Sequence, residues 1–116
     1  MDVTLYHNPR CSKSRATLAL LEAQGITPKL RLYLDDKPNA SEIKQLLDML
    51  GMRDARSLMR TGEEEYTQGQ LANSSLSQAQ LIEAMVNQPK LIERPIAIHQ
   101  GQARIGRPPE SVLEII

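Results

Sequence analysis

Residues 2–6 alternate polar and apolar side chains, Asp2-Val3-Thr4-Leu5-Tyr6, which is the period of a half-buried strand, and Pro9 stops any regular continuation. A helix is predicted next. Ser12 or Cys11 begins it, Leu18 and Leu21 share an apolar face, and Gly25 is placed to end it in a left-handed cap. The period of two returns in Lys29-Leu30-Arg31-Leu32-Tyr33-Leu34, a second strand that ends at Asp35-Asp36-Lys37-Pro38. A crossover of this length joins parallel strands, so the three elements read as a βαβ unit. Cys11 is then expected at the carboxyl edge of the first strand, where open α/β sheets bind their ligands.

The middle of the chain changes period. Asn39 with Glu42 has the form of a capping box, and Ile43, Leu46, Leu47 and Leu50 follow at i, i+3, i+4 and i+7 before Gly51. A short helix is predicted over Asp54 to Arg60, another over Glu63 to Gln68, and Ser77 with Gln80 caps a segment carrying Leu81, Ile82, Met85 and Val86. Residues 39–88 are thus expected to be mostly helical. After Pro89, Pro95-Ile96-Ala97-Ile98-His99 and Ala103-Arg104-Ile105 read as a hairpin turning at Gln100-Gly101-Gln102. Pro108-Pro109 ends it, and residues 110–116 are predicted as a terminal helix with Val112, Leu113 and Ile116 against the sheet. The expected fold class is α/β: a mixed sheet built from βαβ and ββα, with a helical segment inserted at about 39–88.

With 116 residues, 41% of them hydrophobic, the expectation is a single domain over residues 1–116. The core must be aliphatic, because Phe and Trp are absent and Tyr occurs three times. Lys plus Arg and Asp plus Glu both number 14, so no net field steers the chain to nucleic acid or to an anionic membrane. The scarcity of aromatics also removes the stacking platforms of single-strand binders. No apolar run reaches membrane-spanning length, and the chain opens directly into Val3–Tyr6. A soluble cytoplasmic protein is expected, with neither nucleic acid nor membrane as a partner.

Those exclusions leave local chemistry, and the single cysteine draws it to one place. Cys11 lies in His7-Asn8-Pro9-Arg10-Cys11-Ser12-Lys13-Ser14-Arg15, between a strand and a helix. At a helix N-terminus the macrodipole and unpaired N–H groups favour thiolate, and Arg10, Lys13, Arg15 and a protonated His7 would act in the same direction. About 3% of an unperturbed thiol is ionised at pH 7, whereas a pKa of roughly 6 makes thiolate dominant. The competing reading is a buried structural cysteine. Ser14 stands where C-x-x-C proteins carry a resolving cysteine, so any adduct on Cys11 must be released by an external thiol.

The order of elements resembles a glutaredoxin-like domain. His7-Asn8-Pro9-Arg10-Cys11, Leu58-Met59-Arg60, Glu93-Arg94-Pro95-Ile96 and Arg104-Ile105-Gly106-Arg107-Pro108 together resemble the glutaredoxin-type arsenate reductase family, ArsC, in particular its short, YfgD-like members. The similarity runs end to end and includes Leu113-Glu114-Ile115-Ile116. It implies a thioredoxin/glutaredoxin-like fold and reduction of arsenate to arsenite, with Cys11 as the attacking thiolate and His7 helping to lower its pKa. It also implies that Arg60, Arg94 and Arg107 bind the oxyanion, joined by Asn8 and Ser14, and that Pro95 faces the thiol. Glutathione is the implied co-substrate and glutaredoxin the implied partner, with no bound cofactor and no metal. The planar guanidinium fork suits a tetrahedral oxyanion. The chain departs from the family's Gly-Thr-Ser-Arg loop at Ser12 and Lys13.

Two rival readings keep the fold and change the function. A general glutathione-dependent thiol oxidoreductase would use Cys11 without three arginines. A Spx-like regulator would bind RNA polymerase, although Ser14 removes the Cys-x-x-Cys switch typical of that group. A cysteine phosphatase would need C-x5-R, whereas Arg15 follows Cys11 after three residues.

Overall fold

In the computed structural model, which describes residues 2–116, the elements in chain order are β1 (Val3–Tyr6), α1 (Ser12–Ala23), β2 (Lys29–Arg31), α2 (Ala40–Leu50), a 3-10 turn (Ala55–Leu58), α3 (Glu64–Gln68) and α4 (Gln78–Asn87). A second 3-10 turn (Pro89–Leu91), β3 (Ile96–His99), β4 (Gln102–Ile105) and a 3-10 segment (Pro109–Ile115) follow. The chain divides into two compact units: one holds the chain up to Asp36 together with Arg94–Ile116, the other holds Lys37–Glu93. No helix among the described residues is long and apolar enough to cross a membrane.

The first unit is a four-stranded mixed sheet in the order β2-β1-β3-β4. β1 pairs parallel with β2 and antiparallel with β3, and β3 pairs antiparallel with β4. The register sets Tyr6 beside Ile96, and Ile96 beside Ile105. The loop after β1, the residues before β3 and the residues after β4 therefore leave the sheet at one edge. Beneath that edge, Val3, Leu5 and Ala97 of the sheet, Leu21 of α1, Ile26, Val112 and Ile115 form the core, with Leu18 packed against it. Burial of such aliphatic side chains is the main favourable contribution to folding, about 1.5–3 kcal/mol for each large one.

Two expectations change here. β2 ends at Arg31 instead of Leu34, because the Asp35 and Asp36 N–H groups both donate to the Leu32 carbonyl and curl the chain into a turn. The Arg31 guanidinium holds that turn through the Asp36 carboxylate at 2.9 Å. Tyr33 is buried against Tyr6, whereas Leu30, Leu32 and Leu34, on the opposite parity, are exposed. The C-terminal segment is 3-10 instead of α-helical. Its three residues per turn bring Val112 and Ile115 inward and leave Leu113 half-buried and Ile116 exposed.

The second unit is helical. α2 carries the Asn39–Glu42 capping box and ends at Gly51 in the left-handed conformation, and α4 carries the Ser77–Gln80 box. Ile43, Leu46, Leu47, Leu58, Met59, Leu71, Leu81, Met85, Leu91 and Ile92 are among its buried aliphatic and thioether side chains. The helix expected over Asp54 to Arg60 is only the turn Ala55–Leu58. Met59 bridges antiparallel to Ile92, and the Arg60 N–H donates to the Leu91 carbonyl at 2.7 Å, so the chain leaves helical geometry to make strand-like pairs.

Candidate active site

The loop from His7 to Cys11 is folded by its own side chains. The Asn8 carbonyl accepts from the Cys11 N–H and its Oδ1 accepts from the Arg10 N–H, both at 3.0 Å. Ser14, fully buried on α1, ties the loop to the helix: its Oγ lies 2.7 Å from His7 Nδ1 and accepts from the Asn8 N–H at 3.0 Å. Arg15 adds a bond from Nη1 to the Pro9 carbonyl at 2.9 Å. Cys11 becomes the N-cap of α1, half-buried, with extended backbone.

Burial pushes the Cys11 thiol up, but the Ser14 N–H, the hydrogen bond and charge of Arg94, and the Lys13 N–H outweigh it, so the thiol is held below its ordinary pKa. The helix-terminal N–H groups expected from sequence thus act on the sulfur, and Arg94 joins them. The Lys13 contribution comes through its main chain. Burial first, and then the Arg15 charge, hold His7 below its usual pKa, which favours the neutral imidazole over the imidazolium considered from sequence.

Arg94 and Arg107 arrive from the other two segments at this sheet edge. Arg107 Nη2 lies 3.9 Å from Cys11 Sγ, and its Nε donates to the Arg94 carbonyl at 2.8 Å. The Arg94–Pro95 and Arg107–Pro108 bonds are both cis. Gly106 locks the two segments together, its N–H donating to the Pro95 carbonyl at 2.8 Å. A Cβ at Gly106 would stand 2.5 Å from Thr17 Oγ1 and 2.8 Å from Pro95 Cγ, so only glycine fits.

Two further sequence candidates have partners of their own. Ser14 places its hydroxyl between His7 Nδ1 and the Asn8 N–H and offers the sulfur its N–H, so it frames the loop that carries the nucleophile. Arg60 lies in the Lys37–Glu93 unit, ion-paired with Glu63 and, at 3.8 Å, with Glu93. Thr17 and Gly106 were not anticipated as parts of the site. The signal for Thr17 was available, since Ser14, Thr17 and Leu21 are spaced i, i+3 and i+7 along the buried face of α1.

Residues 6–115 match the family model described as the ArsC family. The chain belongs to the ArsC family. This ArsC chain is 56% identical over 115 residues to the protein YfgD of Escherichia coli strain K12, covering 99% of this chain and 97% of that one. It is 51% identical over 116 residues to the arsenate reductase of Haemophilus influenzae, covering 100% of both. Its structure matches that of an arsenate reductase from Vibrio cholerae with a TM-score of 0.99 and 54% identity, covering 100% of this chain and 98% of that one. The fold of the ArsC chain is accordingly thioredoxin-like, with a mixed sheet of four strands.

Proposed function

We propose that this ArsC chain reduces arsenate to arsenite in the cytoplasm, with Cys11 as nucleophile, glutathione as co-substrate and glutaredoxin as the second reductant. The observation that supports this reading most strongly is the set of groups on one sulfur: the Ser14 N–H, Arg94, and Arg107 Nη2 at 3.9 Å. They stabilise a thiolate and leave guanidinium forks beside it for an oxyanion.

The Cys11 thiolate attacks arsenic(V), an S–As bond forms, and one oxygen leaves as water after taking up protons. Glutathione displaces a second oxygen in the same way. A glutaredoxin thiolate then attacks the glutathione sulfur. The As–S(glutathione) bond breaks, its electron pair stays on arsenic, which becomes arsenic(III), and a glutaredoxin–glutathione disulfide forms. Water hydrolyses the Cys11–As(III) bond, releasing arsenite and restoring the thiol. An external pair of thiols is needed because the chain has one cysteine. Phosphate shares the shape and charge of arsenate but does not accept electrons from thiols.

Arg94 and Arg107 serve as the anion-holding groups, and Asn8 acts by shaping the loop that carries Cys11. Arg60 is assigned an anion-binding role by the family resemblance alone, since its guanidinium is engaged by Glu63 and Glu93 within its own unit. Incubation of the protein with arsenate, glutathione, glutaredoxin and a regenerating system should yield arsenite, and omission of either thiol partner should stop it. Arsenite production that is indifferent to both omissions would overturn the reading.

A further inference from the structure

One face of the Cys11 loop is also the wall of a cavity that the chemistry above does not use. The cavity measures about 450 Å³ and is lined by His7, Asn8, Arg10, Leu32, Leu34 and Asp35, with Pro9 between. That volume lies in the range of small-molecule sites, about 300–1,000 Å³. The turn that truncates β2 creates its other wall, where Leu32 and Leu34 are 39% and 38% exposed. The lining thus combines two exposed leucines, spaced by two beside a reactive loop, with charges of both signs, Arg10 and Asp35. Neither Arg10 nor Asp35 has an ion-pair partner among the described residues.

A ligand that matches this wall carries a carboxylate, an ammonium group and a short stem between them, and lies within reach of the residue after Arg10. We propose that the cavity is the glutathione subsite: a glutathione carboxylate on Arg10, its ammonium on Asp35, and its peptide stem against Leu32 and Leu34, so that its thiol is presented to arsenic held on Cys11. The assignment rests on the proposed arsenate cycle for its purpose and on the cavity for its place. It also gives a reason for the exposed leucines, which the core does not require.

The test is a titration of isotope-labelled full-length protein with S-methylglutathione, followed by backbone amide shifts. That probe has no thiol and needs no arsenate, so binding is read separately from turnover. Shifts are expected at Asn8, Arg10, Leu32, Leu34 and Asp35, with Arg10→Ala and Asp35→Asn each weakening binding about threefold to fivefold, the scale of a partly exposed ion pair. In the coupled arsenate reaction the same variants should raise the KM for glutathione by a similar factor and leave the KM for arsenate unchanged. Shifts confined to other residues, or variants that bind as wild type does, would overturn the assignment. Binding at this cavity in a protein that fails to reduce arsenate would sustain the subsite and dismiss the arsenate cycle; turnover without binding here would do the reverse.

Discussion

Replacing Gly106 with alanine adds one methyl group at the point where three segments of the site meet. The new Cβ would lie 2.5 Å from Thr17 Oγ1 and 2.8 Å from Pro95 Cγ, whereas favourable contacts between carbon atoms lie near 3.5–4.0 Å. Neither neighbour can swing away freely. Thr17 is fully buried on α1 with its hydroxyl bonded to the Lys13 carbonyl at 2.9 Å, and Pro95 is a ring fixed between Arg94 and β3. Relief therefore requires backbone movement, and overpacking of this kind costs about 1–3 kcal/mol. For a chain of this size that corresponds to a fall in Tm of about 4–12 °C by calorimetry. Movement of about 1 Å in the segment carrying Arg94 or Arg107 should lower kcat/KM in the coupled assay by about 10²-fold. Adding Thr17→Ala removes the closest contact, so the double variant should lose less stability than the sum of the two single ones. A Gly106→Ala protein with unchanged Tm and turnover, or strict additivity with Thr17→Ala, would refute the role given to this close approach.

The same geometry sets three other expectations. Ser14→Ala leaves His7 Nδ1 and the Asn8 N–H without their shared partner, and urea denaturation should show a loss of about 2–4 kcal/mol; a change below about 0.5 kcal/mol would contradict the loop's construction. Arg94→Ala should move the inflection of iodoacetamide alkylation of Cys11 to higher pH, since the guanidinium's hydrogen bond and charge help to hold that thiol below its ordinary pKa; an unmoved inflection would assign the shift to the backbone alone. His7 has a folded pKa below its usual 6.5, so the unfolded chain takes up the proton first as pH falls. Stability from this group is full above pH 6.5 and declines as pH drops through the folded pKa. Denaturation of wild type and His7→Gln across that range should show the decline only in wild type.

The parts of the fold set by local rules were legible in the sequence. Both capping boxes, the left-handed glycine after α2 and the strands β1, β3 and β4 lie where propensity and pattern place them. What escaped depends on partners distant in the chain. The Asp54–Arg60 segment has a helical composition, but Met59 and Arg60 pair with Ile92 and Leu91, more than thirty residues on. Lys29–Leu34 alternates as a strand should, yet the ladder stops at Arg31 because the Leu32 carbonyl accepts two bonds from its own turn.

The site divides along the same line. The position of Cys11 between strand and helix follows from residue order, and so does its need for an external thiol. The helix-terminal N–H groups of Lys13 and Ser14 that help to lower its pKa follow from that order too, whereas the hydrogen bond and charge of Arg94 come from a segment distant in the chain. A polar Ser14 and Thr17 on the buried face of α1 also weaken the apolar pattern of that helix where its first turns support the site.

The most direct measurement is NADPH oxidation in a system of arsenate, glutathione, glutaredoxin and glutathione reductase, with wild type and Cys11→Ser compared at equal concentration. Wild type should sustain arsenate-dependent oxidation, and Cys11→Ser should fall to the rate without enzyme while keeping its fold and its ability to bind the oxyanion. Arsenate-dependent oxidation by Cys11→Ser at the wild-type rate would contradict a cycle built on the Cys11 thiolate.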